Sequence, residues 1–380
     1  MSGPGDVLEL IREHGALTRG DVLELTGLSR MTVATRVDAL LHHGLIVERG
    51  TERVTGGRPS RRLEFNTSHA GIVTATVDTT HTTVSLTDLG GTVLDQQEID
   101  VAVADGPDHT LNVITGRARA LIAGGAVDRV AAIGISVPGP VDPDTGRPSQ
   151  PPIMPGWDAY PVPEHLGDAL GLPVLVANDA DAAALGEQRR AHPASRSLCF
   201  VKVSSGIGTG IVIGGQVYRG TDGGAGDIGH VKIAGHDDMV CQCGARGCLA
   251  AVASGRAVAR ALSDLGKPAA SGSDVGAYLA AGDTDAARLT QEAGRVIGTV
   301  VATVVTLLNP GEVVLGGMLA SPPLLSGVRE TLYPLSLPRA TRHLTVSLST
   351  LGRQAATVGL AALVVDREFS AAAVNAALAR

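Results

Sequence analysis

His230-Val-Lys-Ile-Ala-Gly-His-Asp-Asp-Met-Val-Cys241-Gln-Cys243-Gly-Ala-Arg-Gly-Cys248 puts three of the chain's four cysteines and a histidine within nineteen residues. Thiolate sulfur and imidazole nitrogen suit Zn²⁺, and four protein ligands close a tetrahedron without leaving a position for catalytic water. His230, Cys241, Cys243 and Cys248 are therefore expected to hold a structural zinc ion. Gly244 and Gly247 let the C-x-C-x4-C loop curl so that the sulfurs meet. The competing reading is a set of buried cysteines on a glycine-rich turn. Cys199 sits apart, in an apolar run, and is expected in the core.

Working outward, His230 closes Gly220-Thr-Asp-Gly-Gly-Ala-Gly-Asp227-Ile-Gly-His230. Upstream lie Val174-Leu-Val-Ala-Asn178-Asp179-Ala-Asp181 and Ser205-Gly206-Ile-Gly208-Thr209-Gly210. In order and spacing these segments resemble the ROK family of repressors, open reading frames and sugar kinases. The resemblance runs from about residue 70 to about residue 365. It implies an α/β fold of the actin-like ATPase type, sugar-kinase-like and RNase H-like, with two lobes around a cleft and the zinc site shaping one wall. The lobes are expected at about 70–185 and 186–380, within an effector and dimerisation domain spanning 67–380.

Composition agrees. A chain of 380 residues is long enough for two lobes and a small extra domain. With 44% hydrophobic residues, 49 glycines and 2% aromatics, the core must be built from Ala, Val, Leu and Ile. The apolar run Val296 to Leu308 is too short to span a bilayer and reads as a buried helix. The first ten residues lack an apolar stretch, so no secretory signal is expected and the protein reads as cytoplasmic. Clustered cysteines at metal-ligand spacing fit such a reducing compartment.

A net charge of −7 argues against nucleic acid for the chain as a whole, yet the charge is uneven. Between Leu28 and Arg62, Arg30, Arg36, Arg49, Arg53, Arg58, Arg61 and Arg62 outnumber Asp38, Glu48 and Glu52. This segment belongs to a separate domain, residues 1–66. Val7, Leu8, Leu10 and Ile11 make an apolar helical face, Gly15-Ala-Leu-Thr18 breaks it, and Arg19 to Thr26 forms a second helix. After the turn Gly27-Leu-Ser29, Ser29 caps a third helix, Arg30 to His42, with Val33, Val37, Leu40 and Leu41 inward and Arg30, Thr32, Thr35 and Arg36 outward. Gly44 to Arg49 and Ser60 to Phe65 then alternate as a hairpin.

The order is that of a winged helix-turn-helix. Its last helix would enter the major groove of double-stranded DNA, and the wing, with Arg53 and the tip Gly57-Arg58-Pro59, the minor groove. Ser29, Arg30, Thr32, Thr35, Arg36, Arg53, Gly57, Arg58 and Pro59 are thus the expected DNA-binding residues. A protein-binding winged helix with a solvated basic loop is the alternative.

The resemblance also carries expectations for the cleft. ROK kinases open with a D-x-G-G-T loop that lets backbone amides approach nucleotide phosphates. Here the segment reads Val77-Asp78-Thr79-Thr80-His81-Thr82, so Thr80 and His81 replace glycines and ATP is not an expected cofactor. The sugar contacts implied by the family fall on Asn178, Asp179, His230, Asp227 and Ala250. Asp179 would be the base of a kinase and a plain hydrogen-bond acceptor in a repressor. His230 would serve both zinc and ligand. Ala250 removes a carboxylate that would contribute about 1.5 to 3 kcal/mol to the same sugar. Asn178 and Asp179 could instead simply cap the helix from Ala180 to Arg190.

Together these readings predict a repressor without catalytic residues, resembling the xylose and N-acetylglucosamine repressor branch of the family. It would bind an inverted-repeat operator as a homodimer or tetramer, and a small sugar-like effector in a degenerate kinase cleft. The alternatives are an ATP-dependent sugar kinase carrying a DNA-binding head and a ligand-free protein-binding scaffold.

Overall fold

Ser29 starts the helix that the sequence predicts: its hydroxyl accepts from the Thr32 amide at 3.1 Å, and Val33, Val37 and Leu40 are buried beneath it. The structure, a computed structural model, describes residues 3–52, 60–79 and 81–379. Its first unit runs α1 (Pro4–His14), β1 (Ala16–Thr18), α2 (Arg19–Thr26), α3 (Arg30–His42), β2 (Ile46–Glu52) and β3 (Ser60–Phe65). A Thr18–Asp21 capping box opens α2, and Gly27, at φ +66°, ends it in a left-handed turn that non-glycine residues resist. The sequence gives Ala16–Thr18 only as a break between helices. In the structure these residues form a third strand, with sheet order β1-β3-β2, because three residues acquire strand geometry only from the partner they meet. Leu41 and Leu10, expected inward, are half-buried at the rim of this core.

Two five-stranded sheets follow. The first is built from β4 (Gly71–Val77), β5 (Thr82–Asp88), β6 (Val93–Ile99), β7 (Val130–Val137) and β8 (Val174–Asn178), in the order β6-β5-β4-β7-β8. α4 (Pro107–Ala123) and α5 (Val162–Leu170) make the crossovers, and α6 (Asp179–Arg190) leaves the last strand. The second sheet comprises β9 (Ser197–Val203), β10 (Ile207–Ile213), β11 (Gln216–Val217), β12 (Glu312–Gly316) and β13 (Thr345–Leu348), ordered β11-β10-β9-β12-β13. Its helices are α7 (Leu249–Ala253), α8 (Gly255–Asp264), α9 (Gly272–Ala280), α10 (Thr284–Leu308), α11 (Pro322–Leu335) and α12 (Pro338–Thr341). Each sheet is an antiparallel meander joined to two parallel strands, so the two lobes repeat one topology.

Two expectations change here. Val296–Leu308 is the end of the longer α10, and only one face is buried. Ile297, Val301 and Val305 pack into the second lobe's core, whereas Thr299, Thr303 and Leu307 are exposed. By length and composition α10 alone among the described helices could cross a membrane, but that buried face makes it a core helix. A lobe division at 185/186 would fall inside α6. Moreover, α13 (Ala355–Glu368) returns to the first sheet, and α14 (Ala371–Leu378) to α1. Trp157 is fully buried in the first lobe's core, donating to the Val103 carbonyl at 2.9 Å.

The first unit and first lobe share one apolar core. Val7, Leu8 and Ile11 of α1 pack with Ile72, Ala361, Val365, Phe369 and Val374. Asp366 of α13 joins them by charge, accepting from Arg12 of α1 at 2.5 Å and from Arg189 of α6 at 2.8 Å. α13 lies against α6 so closely that a Cβ on Gly359 would sit 1.7 Å from the Ala182 carbonyl oxygen, and one on Gly186 1.9 Å from that of Ala355.

Candidate functional site

α6 brings its N-terminus to a cleft lined by both lobes. Asn178 lines the cleft and caps the helix. Its Oδ1 accepts from the amides of Ala180 (2.9 Å) and Asp181 (3.2 Å), and its Nδ2 donates to the Gly139 carbonyl at 3.0 Å. The capping role weighed in the sequence is therefore present, and one amide hydrogen remains for a ligand. The helix begins one residue earlier than expected, at Asp179.

Asp179 is buried and does not stand alone. Lys202 of β9 donates to its Oδ2 at 2.5 Å and lies 3.7 Å from Oδ2 of Asp78, at the end of β4. Burial pushes the Asp179 carboxyl above the ordinary carboxylate value, with Lys202 pulling against it. Burial works against the Lys202 ammonium, but Asp179 and then Asp78 outweigh it and hold the lysine charged. A lysine inside a mostly apolar strand, four residues before the first glycine of the hairpin, was the available sequence signal for this group.

Around the Asp78 loop the two lobes touch. Thr79 Oγ1 and Ser205 Oγ are 2.7 Å apart, and the Asp78 carboxylate accepts from the Thr79 amide at 2.8 Å. Thr80 lies outside the described residues. His81 Nε2 is 2.6 Å from an Arg353 guanidinium nitrogen. Burial lowers the His81 pKa, Asp78 opposing and Arg353 reinforcing, so the ring is neutral and accepts from Arg353. In the facing hairpin only Gly210 is forced by packing, since a Cβ there would meet the Ala180 carbonyl oxygen at 2.1 Å. Gly206 meets nothing within 4 Å and Gly208 only the Ala180 Cβ at 3.8 Å, and both line the cleft.

The remaining wall carries the other expected ligand residues, Asp227 and His230, beside Ala250. The ligand atoms of His230, Cys241, Cys243 and Cys248 all lie within 4.8 Å of one another. Cys243 and Cys248 sulfurs are 3.8 Å apart, and Cys241 Sγ is 3.9 Å from His230 Nδ1. A tetrahedron with metal–sulfur bonds of about 2.3 Å has edges of about 3.8 Å, so the four atoms fit a zinc-sized ion. With Nδ1 toward the sulfurs, Nε2 of His230 is left for the cleft. Val240, Cys241, Gln242 and Cys243 also line the cleft, so the metal loop is part of its wall.

On the first unit, Ser29, Arg30 and Thr35 are exposed on α3, and Thr32 and Arg36 are half-buried. Arg53, Gly57, Arg58 and Pro59 lie outside the described residues. Nothing in the helical pattern marks Met31, yet it is 76% exposed beside Arg30. Some of the basic charge is neutralised locally: Arg19 pairs with Asp38 at 3.0 Å and Arg61 with Glu48 at 3.0 Å.

Two lobes of one topology, a carboxylate-bearing cleft between them and a His/Cys cluster in its wall define a class, and the chain belongs to it. It is a member of the ROK family, whose model matches residues 74–367. Over almost its whole length it is similar to a crystal structure of a ROK family transcriptional regulator described as a homolog of the E. coli MLC protein. That match has 28% identity and a TM-score of 0.82, covering 99% of this chain and 98% of that one. The xylose repressor of Bacillus spizizenii is 26% identical over 365 residues, 95% of this chain and 94% of its own. A ROK family glucokinase from Streptomyces griseus, solved with glucose and AMPPNP, is 26% identical with a TM-score of 0.68, covering 77% of this chain and 99% of that one.

Proposed function

We propose that the chain is a sugar-responsive transcriptional repressor. A winged helix-turn-helix head reads an inverted-repeat operator, and the cleft binds a sugar or sugar derivative. The observation that carries this reading is the joining, through one core, of a three-helix unit with a β-hairpin to a sugar-kinase-like lobe, together with full-length likeness to a transcriptional regulator. His230, Cys241, Cys243 and Cys248 hold structural zinc, and Asn178, Asp179, Asp227 and His230 contact the effector. The protein is a cytoplasmic homodimer or higher assembly and no longer a kinase. Thr80 and His81 in the phosphate loop support that last point.

Because head and first lobe share a core and the Arg12–Asp366–Arg189 group, they move as one body. Closure of the second lobe on a ligand then changes the angle between heads in a dimer, which shifts operator affinity by the difference in ligand binding between the two states.

Arg30→Ala and Arg36→Ala test the head. Each is expected to weaken operator binding at fixed salt by about 1 to 3 kcal/mol in a fluorescence anisotropy titration, with zinc content unchanged and, for the exposed Arg30, the unfolding midpoint unchanged as well. Unchanged affinity in both would assign the head to a protein partner. The glucokinase likeness favours a second reading, a sugar kinase with an added head. Sugar-dependent ADP release abolished by Asp179→Asn would establish it.

A further inference from the structure

Phosphoryl transfer from a nucleotide needs a divalent cation on the phosphates. Mg²⁺ is ordinarily held by one or two carboxylates, with phosphate and water completing an octahedron at about 2.0 to 2.1 Å. Of the three carboxylates that line the cleft, Asp227 lies on the wall beside His230, while Asp78 from the first lobe and Asp179 from the start of α6 converge on one point. What lies between them is a side chain of the protein itself. The Lys202 ammonium is 2.5 Å from Asp179 and 3.7 Å from Asp78, and all three side chains are at least 80% buried.

We propose that Lys202 is a built-in replacement for the nucleotide-borne magnesium ion, and that it makes this cleft a receptor for a neutral polyhydroxylated ligand that needs neither metal nor nucleotide. The inference rests on reading the cleft as a sugar site and adds what sets its chemistry. Two buried carboxylates facing one region repel each other and require a counter-charge. A kinase receives it with each nucleotide, whereas here the counter-charge is permanent. An ammonium and a magnesium ion cannot both occupy the space between Asp78 and Asp179. The neighbouring geometry agrees: the direct Thr79–Ser205 contact closes the gap between the two loops, and Arg353 holds the His81 ring. Since Lys202 reaches from the second lobe to Asp78 of the first, it also braces the lobes from within.

The test uses the full-length, zinc-loaded protein in magnesium-free buffer without chelator. Thermal unfolding is followed with Mg²⁺, with AMP-PNP, with both, and with a panel of neutral sugars, and Mn²⁺ binding is read by electron paramagnetic resonance. Wild type is expected to ignore Mg²⁺, Mn²⁺ and Mg·AMP-PNP while responding to a sugar in their absence. Lys202→Met, which keeps the length and loses the charge, is expected to melt several degrees lower, to bind Mn²⁺ and to regain its midpoint with Mg²⁺. Lys202→Arg, which keeps the charge, should stay insensitive to Mg²⁺. Binding of Mn²⁺ or Mg·AMP-PNP by wild type overturns the proposal, as does a Lys202→Met protein indifferent to both metals. If Lys202→Met does not fold, the wild-type and Lys202→Arg arms decide alone. A wild type silent to every sugar removes the sugar-site reading, while the metal arms still judge Lys202.

Discussion

Replacing Gly359 by valine is expected to unfold the protein or leave it barely soluble. The first carbon of any side chain at this position would lie 1.7 Å from the Ala182 carbonyl oxygen and 2.6 Å from its carbon, both backbone atoms of α6. Neither can yield without separating α6 from α13, and α13 also carries Ala361, Val364 and Val365 into the core shared with the first unit. Overpacking typically costs about 1 to 3 kcal/mol and occasionally more, and a clash with rigid backbone falls at or above the top of that range; in a chain of 380 residues each 3 kcal/mol lowers the unfolding midpoint by roughly 4 °C. Gly116→Ala on α4, where a Cβ meets nothing within 4 Å, is the control. It should be neutral, or stabilising by about 0.5 to 1 kcal/mol through helix propensity. Scanning calorimetry of the two variants separates them, and equal midpoints would contradict the packing described.

Removing the metal should have the second-largest effect. Between His230 and α7 the chain has little regular structure: beyond turns, its pairing is reduced to the isolated bridges Lys232–Cys248 and Val240–Arg246. With so few backbone pairings, an ion held by the proposed ligands would supply much of the loop's order, as in small metal-dependent folds. Treatment with a strong chelator, or Cys248→Ser, is expected to lose one zinc per chain by elemental analysis and to expose residues 231–247 to proteolysis. Effector binding should vanish with it, because Val240 to Cys243 and His230 form part of the cleft wall. The two sheets lie outside this loop and should retain their far-ultraviolet dichroism. Protein that contains no zinc as purified, with the loop protected, would contradict this account.

Much of this architecture was legible in the sequence for a physical reason. Helix signals are local: Ser29 with Thr32, or Thr18 with Asp21, announces a helix start within four residues. Cysteines with short spacing are equally local, so the meeting of Cys241, Cys243 and Cys248 could be expected without knowing the fold. What stayed hidden depends on distant partners. β1 is a strand only because β3 lies beside it, and Trp157 is core only because Val103 accepts its indole proton. Lys202 reads as one charge in an apolar strand until Asp78 and Asp179 converge on it from residues far apart in the chain. The return of α13 and α14 to the first lobe and to α1 was likewise invisible, since their apolar faces fit either lobe by pattern alone.

In the proposed function a DNA-reading head answers to a ligand in the cleft. Its most direct test is selection of duplexes from a random pool by the intact zinc-loaded protein, followed by anisotropy titration of the selected DNA at fixed salt with and without each sugar of a panel that includes xylose. The pool is expected to converge on an inverted repeat, and at least one sugar, without nucleotide, to lower the affinity by about tenfold or more, some 1.4 kcal/mol. A pool that never enriches, or enriched DNA whose affinity no sugar alters, would contradict it.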